Sequence, residues 1–92
     1  MENSSVKEIV EWMIAEGRKK ASSGVAIIRE NEIIKKFGVE CGWLENSGVE
    51  IYHECDLHGE VDDSLIYTDN AMNEWAIEIS FRVNADQKQR EA

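Results

Sequence analysis

The 92-residue chain contains no proline, six glycines and two cysteines, and between residues 49 and 81 it has neither lysine nor arginine. Each scarcity excludes something. With no proline and little glycine there is no flexible linker of the usual composition, so residues 1–92 are expected to form a single small domain, with residues 84–92 a frayed polar tail. Cys41 and Cys55 are too few for the disulfide framework of a small secreted domain and read as free thiols of a cytoplasmic protein. No apolar run approaches the ~18 residues of a membrane span, and no basic stretch joins an apolar one at the N-terminus, so no membrane contact is expected. A glycine-rich phosphate loop is also missing. A cysteine with His53 is the only nucleophile and base on offer, and no helix N-terminus or electropositive neighbour marks a lowered thiol pKa. The chain therefore reads as a non-enzyme without a cofactor, and at this length it holds one core of modest stability, as a monomer or homodimer.

The charge that is present is unevenly placed. The formal net charge is -9, and nine acids (Glu50, Glu54, Asp56, Glu60, Asp62, Asp63, Asp69, Glu74 and Glu78) fall in the segment without a base, whereas residues 1–48 and 82–92 nearly balance themselves. An imbalance of this kind bears on partners and solubility, not on fold.

Residues 74–83 carry the clearest pattern. Trp75, Ile77, Ile79, Phe81 and Val83 alternate with Ala76, Glu78, Ser80 and Arg82, which predicts a half-buried strand of fixed register. Upstream, Ser5 and Glu8 have the spacing of a capping box, and Val6, Ile9, Val10, Met13 and Gly17 form one stripe, so a helix is predicted over about residues 5–21. Arg18, Lys19 and Lys20 in its last turn meet the negative end of the helix dipole. Residues 25–28 are either a short strand or the first turn of a helix. Glu30 to Phe37 reads as helix with Gly38 as its C-cap, Cys41 to Leu44 as an apolar turn or short helix, and Glu45 to Gly48 as a turn. Val49, Ile51, His53, Cys55 and Leu57 alternate with Glu50, Tyr52, Glu54 and Asp56, which predicts a second strand over 49–57. A polar connection over 58–64 and a shorter strand over 64–69 follow.

Helix, short strand Val25 to Ile28, helix Arg29 to Phe37 with Gly38 and Val39, a further short segment and a hairpin: this order resembles a winged helix-turn-helix, and Ile33 to Val39 looks like its second helix and turn. The resemblance implies a DNA-binding regulator using Arg29, Lys35 and Lys36. It also implies a recognition segment over Glu40 to Asn46, which here carries Glu40 and Glu45 and no base. A helix meant for a phosphate-lined groove is not net negative.

Cys41, His53, Cys55 and His58 have the inventory of a tetrahedral zinc site but no tight ligand pair. His53 and Cys55 read as core side chains on an inward strand face, Cys41 as a buried small apolar side chain and His58 as part of a solvated loop, and no metal is expected. Asp56, Glu60, Asp62 and Asp63 lack the pattern of a calcium loop and read as a solvated turn.

Together these readings predict an α+β fold: an N-terminal amphipathic helix and a second, shorter helix packed on one face of a three-stranded, or with 25–28 four-stranded, antiparallel sheet of residues 49–57, 64–69 and 74–83. Trp75, Ile77, Ile79 and Phe81 are expected to meet Ile9, Val10 and Met13. Glu50, Glu54, Asp56 and Glu78, extended by Asp62 and Asp63, are expected to share the outer sheet face as a partner-binding surface. Such a face repels nucleic acid and attracts a protein with a basic surface. The expected function is a small acidic, non-enzymatic regulator or inhibitor of phage or mobile-element type that engages a host enzyme's basic nucleic-acid-binding groove as a nucleic-acid mimic, with the winged-helix DNA-binding regulator and a small Cys/His enzyme as alternatives.

Overall fold

The computed structural model describes residues 5–71 and 73–82. In chain order these form α1 (Val6–Lys20), β1 (Val25–Arg29), α2 (Glu30–Phe37), α3 (Trp43–Asn46), α4 (Gly48–Asp56), β2 (Val61–Asp69) and β3 (Glu74–Phe81). The fold is α+β, as expected, and the strands make one antiparallel sheet in the order β1-β3-β2. The predicted tail and the last residue of the predicted strand, Val83, lie outside the described residues.

α1 begins as its sequence dictates. The Ser5 hydroxyl accepts from the Glu8 N–H at 3.1 Å, and the Glu8 carboxylate accepts from the Ser5 N–H at 3.0 Å, so two of the helix's unpaired donors are satisfied reciprocally. Its buried stripe is Ile9, Val10, Met13, Ile14 and Gly17. Gly17 lets a ring approach closely: a Cβ there would stand 3.2 Å from Phe81 Cζ.

β3 is the central strand, because its inward residues are large and apolar and its backbone is paired on both edges. Ile28 and Ile66 flank Ile77, and Ala26 and Ser64 flank Ile79. Ile77 and Ile79 are fully buried and share one cluster with Ile9, Val10 and Met13, against which Trp75 and Phe81 pack, as expected. Residues 25–28 belong to a strand, and it is β1 that occupies the second edge of β3.

The strand predicted over 49–57 is instead α4. Its buried residues are Ile51 and Cys55, four apart, which is one helical turn. The alternation was misleading because Ile51 and Cys55 satisfy both a period of two and an i, i+4 spacing. The other members of the supposed inward face are exposed, with Val49 at 86% and Leu57 at 65%. α4 packs on α1 and on β2. The polar connection is correspondingly shorter, and β2 starts at Val61 with a bulge between Val61 and Asp63.

The remaining joints are local. Gly38 adopts the left-handed conformation with φ 74° and donates its N–H to Ile34 O at 2.8 Å, closing α2 as predicted. α3 follows a second left-handed glycine, Gly42, and only Ser47 separates it from α4.

Candidate protein-docking surface

Between α2 and the hairpin of β2 and β3, where the winged-helix resemblance implies one short segment over 40–46, the structure has two helices, α3 and α4, and it is α4 that precedes the hairpin. Three features fix its place. Ile51 and Cys55 are buried in the core, the Tyr52 hydroxyl accepts from the Ile66 N–H on β2 at 2.8 Å, and α3 anchors its start. α3 is itself held by Glu30, which is 2% exposed and accepts from the N–H of Gly42 at 3.1 Å and of Leu44 at 2.9 Å. A buried carboxylate that caps the N-terminal donors of a short helix satisfies those donors and its own oxygens together.

With Ile51 and Cys55 turned inward, the 100° step of the helix puts Val49 and His53 on the outermost line of α4, with Glu50 and Glu54 on one flank and Asp56 near the other. Val49, Glu50, His53 and Asp56 are exposed and Glu54 is half-buried. No lysine or arginine lies on this helix. Glu54 and Asp56 occupy its last turn, where a carboxylate opposes the helix dipole, so helix stability does not account for them.

The six acids expected on one sheet face do not form one. Glu50, Glu54 and Asp56 belong to α4, on the helical side of the sheet. Asp63 and Glu78 align with Ser80 and with Ile27 and Leu65 on the opposite face. Asp62 sits at the bulge, where it receives Arg82 Nη1 at 3.2 Å. Other acids of the base-free segment are also compensated from outside it. Arg18 meets Glu60 at 2.5 Å, and Arg29 meets Asp69 at 2.6 Å and Glu74 at 3.8 Å. Among the described residues no ion pair engages Glu50, Glu54, Asp56, Asp63 or Glu78.

Of the three bases that a DNA-binding reading needs, Arg29 is committed and, among the described residues, Lys35 and Lys36 are not. Arg29 is tied to Asp69 and Glu74, and these contacts hold its guanidinium above its ordinary pKa, the hydrogen bond to Asp69 foremost. Lys20 donates to Glu32 at 2.8 Å. Burial pushes the Glu32 carboxyl up, but Lys20 and the Arg29 N–H outweigh it and leave the pKa lowered. Only Lys35 and Lys36, exposed at the end of α2, remain without an ion pair in that region among the described residues.

The supposed zinc ligands are scattered. Cys41 is exposed and Cys55 buried, and on a helix His53 and Cys55 point to nearly opposite sides, so His53 is a surface residue and not the core side chain expected on a strand. Among the described residues no group of three or more His, Cys, Asp or Glu is placed to hold a metal ion. Burial pushes the Cys55 thiol up, partly offset by a hydrogen bond with Ser64.

Sequence reasoning missed one residue and one helix of consequence. Glu30 carried no signal, because its partners are backbone donors more than ten residues away. For α4 a signal existed: Ser47 and Glu50 have capping-box spacing, although the Ser47 side chain makes no cap bond. No helix among the described residues is long and apolar enough to cross a membrane. No family model, curated protein or solved structure matches the chain.

Proposed function

We propose that this protein is a non-enzymatic regulator or inhibitor that acts by protein contact, using the exposed face of α4 against a basic partner surface of the kind that holds nucleic acid. One observation carries the reading: the helix that a winged helix would offer to a groove bears Glu50, Glu54 and Asp56 and no base, with exposed Val49 at its start and exposed Leu57 at its end. Carboxylates there repel phosphate, while acids around exposed aliphatic side chains suit a basic and partly apolar protein surface. A phage or mobile-element inhibitor of a host nucleic-acid enzyme is the setting this chemistry fits.

The element order favours a second reading, a DNA-binding regulator whose contacts come from Lys35 and Lys36. The two are separated by immobilising wild type and the variant Glu50→Gln/Glu54→Gln/Asp56→Asn, then applying labelled duplex DNA and the heparin-retained fraction of a cell lysate across a salt gradient. The expected result is protein capture by wild type that weakens as the Debye length falls below ~10 Å, loss of that capture in the variant, and no retention of DNA. Equal capture by both proteins at every salt concentration removes α4 from the binding surface. Duplex retention that is lost in Lys35→Glu/Lys36→Glu replaces the proposal with the DNA-binding one.

A further inference from the structure

Among the described residues the four helices all pack on one face of the sheet and no element covers the other, on which Ala76 alone is fully buried. The cross-strand rows on that face are Val25, Ser80 and Asp63, then Ile27, Glu78 and Leu65, then Arg29, Ala76 and Tyr67. The middle row decides its character. Ile27 is 40% exposed and Leu65 54%, and Glu78 stands between them on the central strand. No hydrogen bond or ion pair among the described residues engages the Glu78 carboxylate, and Arg29, the base of this face, is held by Asp69 and Glu74. The result is an anion at the centre of an aliphatic row with no cation assigned to it.

The size of the face limits what can sit there. Three strands spaced at ~4.8 Å give a width on the order of 10–15 Å, close to the ~10–12 Å diameter of one helix with its side chains. Over strands of nine and eight residues, ~30 Å long at ~3.3 Å per residue, this is an area on the order of 300–450 Å², short of the ~800 Å² per partner typical of a stable globular interface. A second copy applied face to face about a two-fold axis through this middle row would bring two Glu78 carboxylates together with no cation between them, a repulsive and desolvated contact.

We infer that the open sheet face docks one amphipathic helix of a partner protein, whose lysine or arginine meets Glu78 while its aliphatic residues cover Ile27 and Leu65. This surface is independent of α4 and lies on the other side of the sheet, so the protein can hold two partners, or two parts of one, at once.

The probes are three peptides of about 18 residues, long enough to be helical, with a Leu/Ala face that carries a central lysine, norleucine or glutamate. They are titrated into the protein, with backbone-amide NMR shifts and affinity as readouts. The lysine peptide is expected to shift the amides of Ile27, Leu65 and Glu78 and to bind at least about tenfold more tightly than the glutamate peptide. Glu78→Gln removes the advantage of lysine over norleucine, and Leu65→Ser, a change at an exposed position, weakens all three. The α4 triple variant leaves peptide binding intact, so failure of the α4 reading and failure of this one are distinguishable. Shifts confined to α4, or equal affinity for the lysine and glutamate peptides, overturn the inference. So does a wild-type dimer in sedimentation that Leu65→Ser dissociates, since the occupant is then a second copy.

Discussion

Replacing Glu30 is expected to damage the protein far more than replacing any other single acid. Its carboxylate is 2% exposed and accepts from Gly42 and Leu44 at 3.1 and 2.9 Å. A hydrogen bond to a charged group contributes about 1.5–3 kcal/mol net, and a buried donor left unpaired costs a similar amount. Glu30→Ala orphans both N–H groups and opens a space that water fills only in part, so a loss of about 3–5 kcal/mol is expected from a total on the order of 5–15 kcal/mol. At about 4–8 °C per kcal/mol for a domain of this size, the melting temperature falls by roughly 15 °C or more. Glu30→Gln keeps one acceptor but turns an amide donor toward the other N–H, so it loses roughly half as much. Urea unfolding of the three proteins gives the free energies, and hydrogen exchange at Gly42 and Leu44 shows whether those donors are the ones released. Because α3 leads directly into α4, Glu30→Ala is also expected to disturb the α4 surface before the domain unfolds. A loss below about 1 kcal/mol in Glu30→Ala, or unchanged protection of the two amides, would refute the assignment of Glu30 as the anchor of α3.

Ile79→Asp puts an unpaired charge in a fully buried site opposite Ala26 and Ser64, and several kcal/mol of desolvation are expected to abolish cooperative unfolding; a variant that still melts near the parent temperature excludes this side chain from the core. Glu32 has a native pKa below its unfolded value of ~4.3, so its contribution is present above that pH and is lost as pH falls through the lower native pKa. The stability gap between wild type and Glu32→Gln should therefore hold at neutral pH and close below about pH 4.3, and a gap that widens on acidification contradicts the Lys20 contact as its source. In the native protein iodoacetamide is expected to label exposed Cys41 and to spare buried Cys55, whose thiol is held protonated by burial; equal labelling of both at neutral pH would show that α4 opens readily.

Local signals sufficed where the chain's own neighbours supply the physics. The capping box of Ser5 and Glu8, the stripe from Ile9 to Gly17, the left-handed Gly38 and the alternation of residues 74–81 each appear in the structure, because backbone donors three or four residues away and the two-residue period of a strand are short-range facts. Glu30 was illegible for the opposite reason, since no pattern near an acid announces backbone N–H groups brought to it by a later turn. The candidate site fared likewise: the concentration of acids in 49–81 could be read directly, but which of them lie together could not.

By itself, the sequence determined the first helix, the central strand and where the negative charge falls along the chain. Tertiary structure decided the state of residues 49–57, whose pattern served a strand and a helix equally. With β1 paired to the second edge of β3, the core offered this segment a place beside α1, and Ile51 and Cys55, one helical turn apart, filled it. Helicity turned Val49 and His53 outward and carried Glu50, Glu54 and Asp56 to the side of the sheet opposite Glu78. Contacts with Arg18, Arg29 and Arg82, distant in sequence, paired Glu60, Asp69, Glu74 and Asp62 and left the two separate surfaces on which partner binding is proposed.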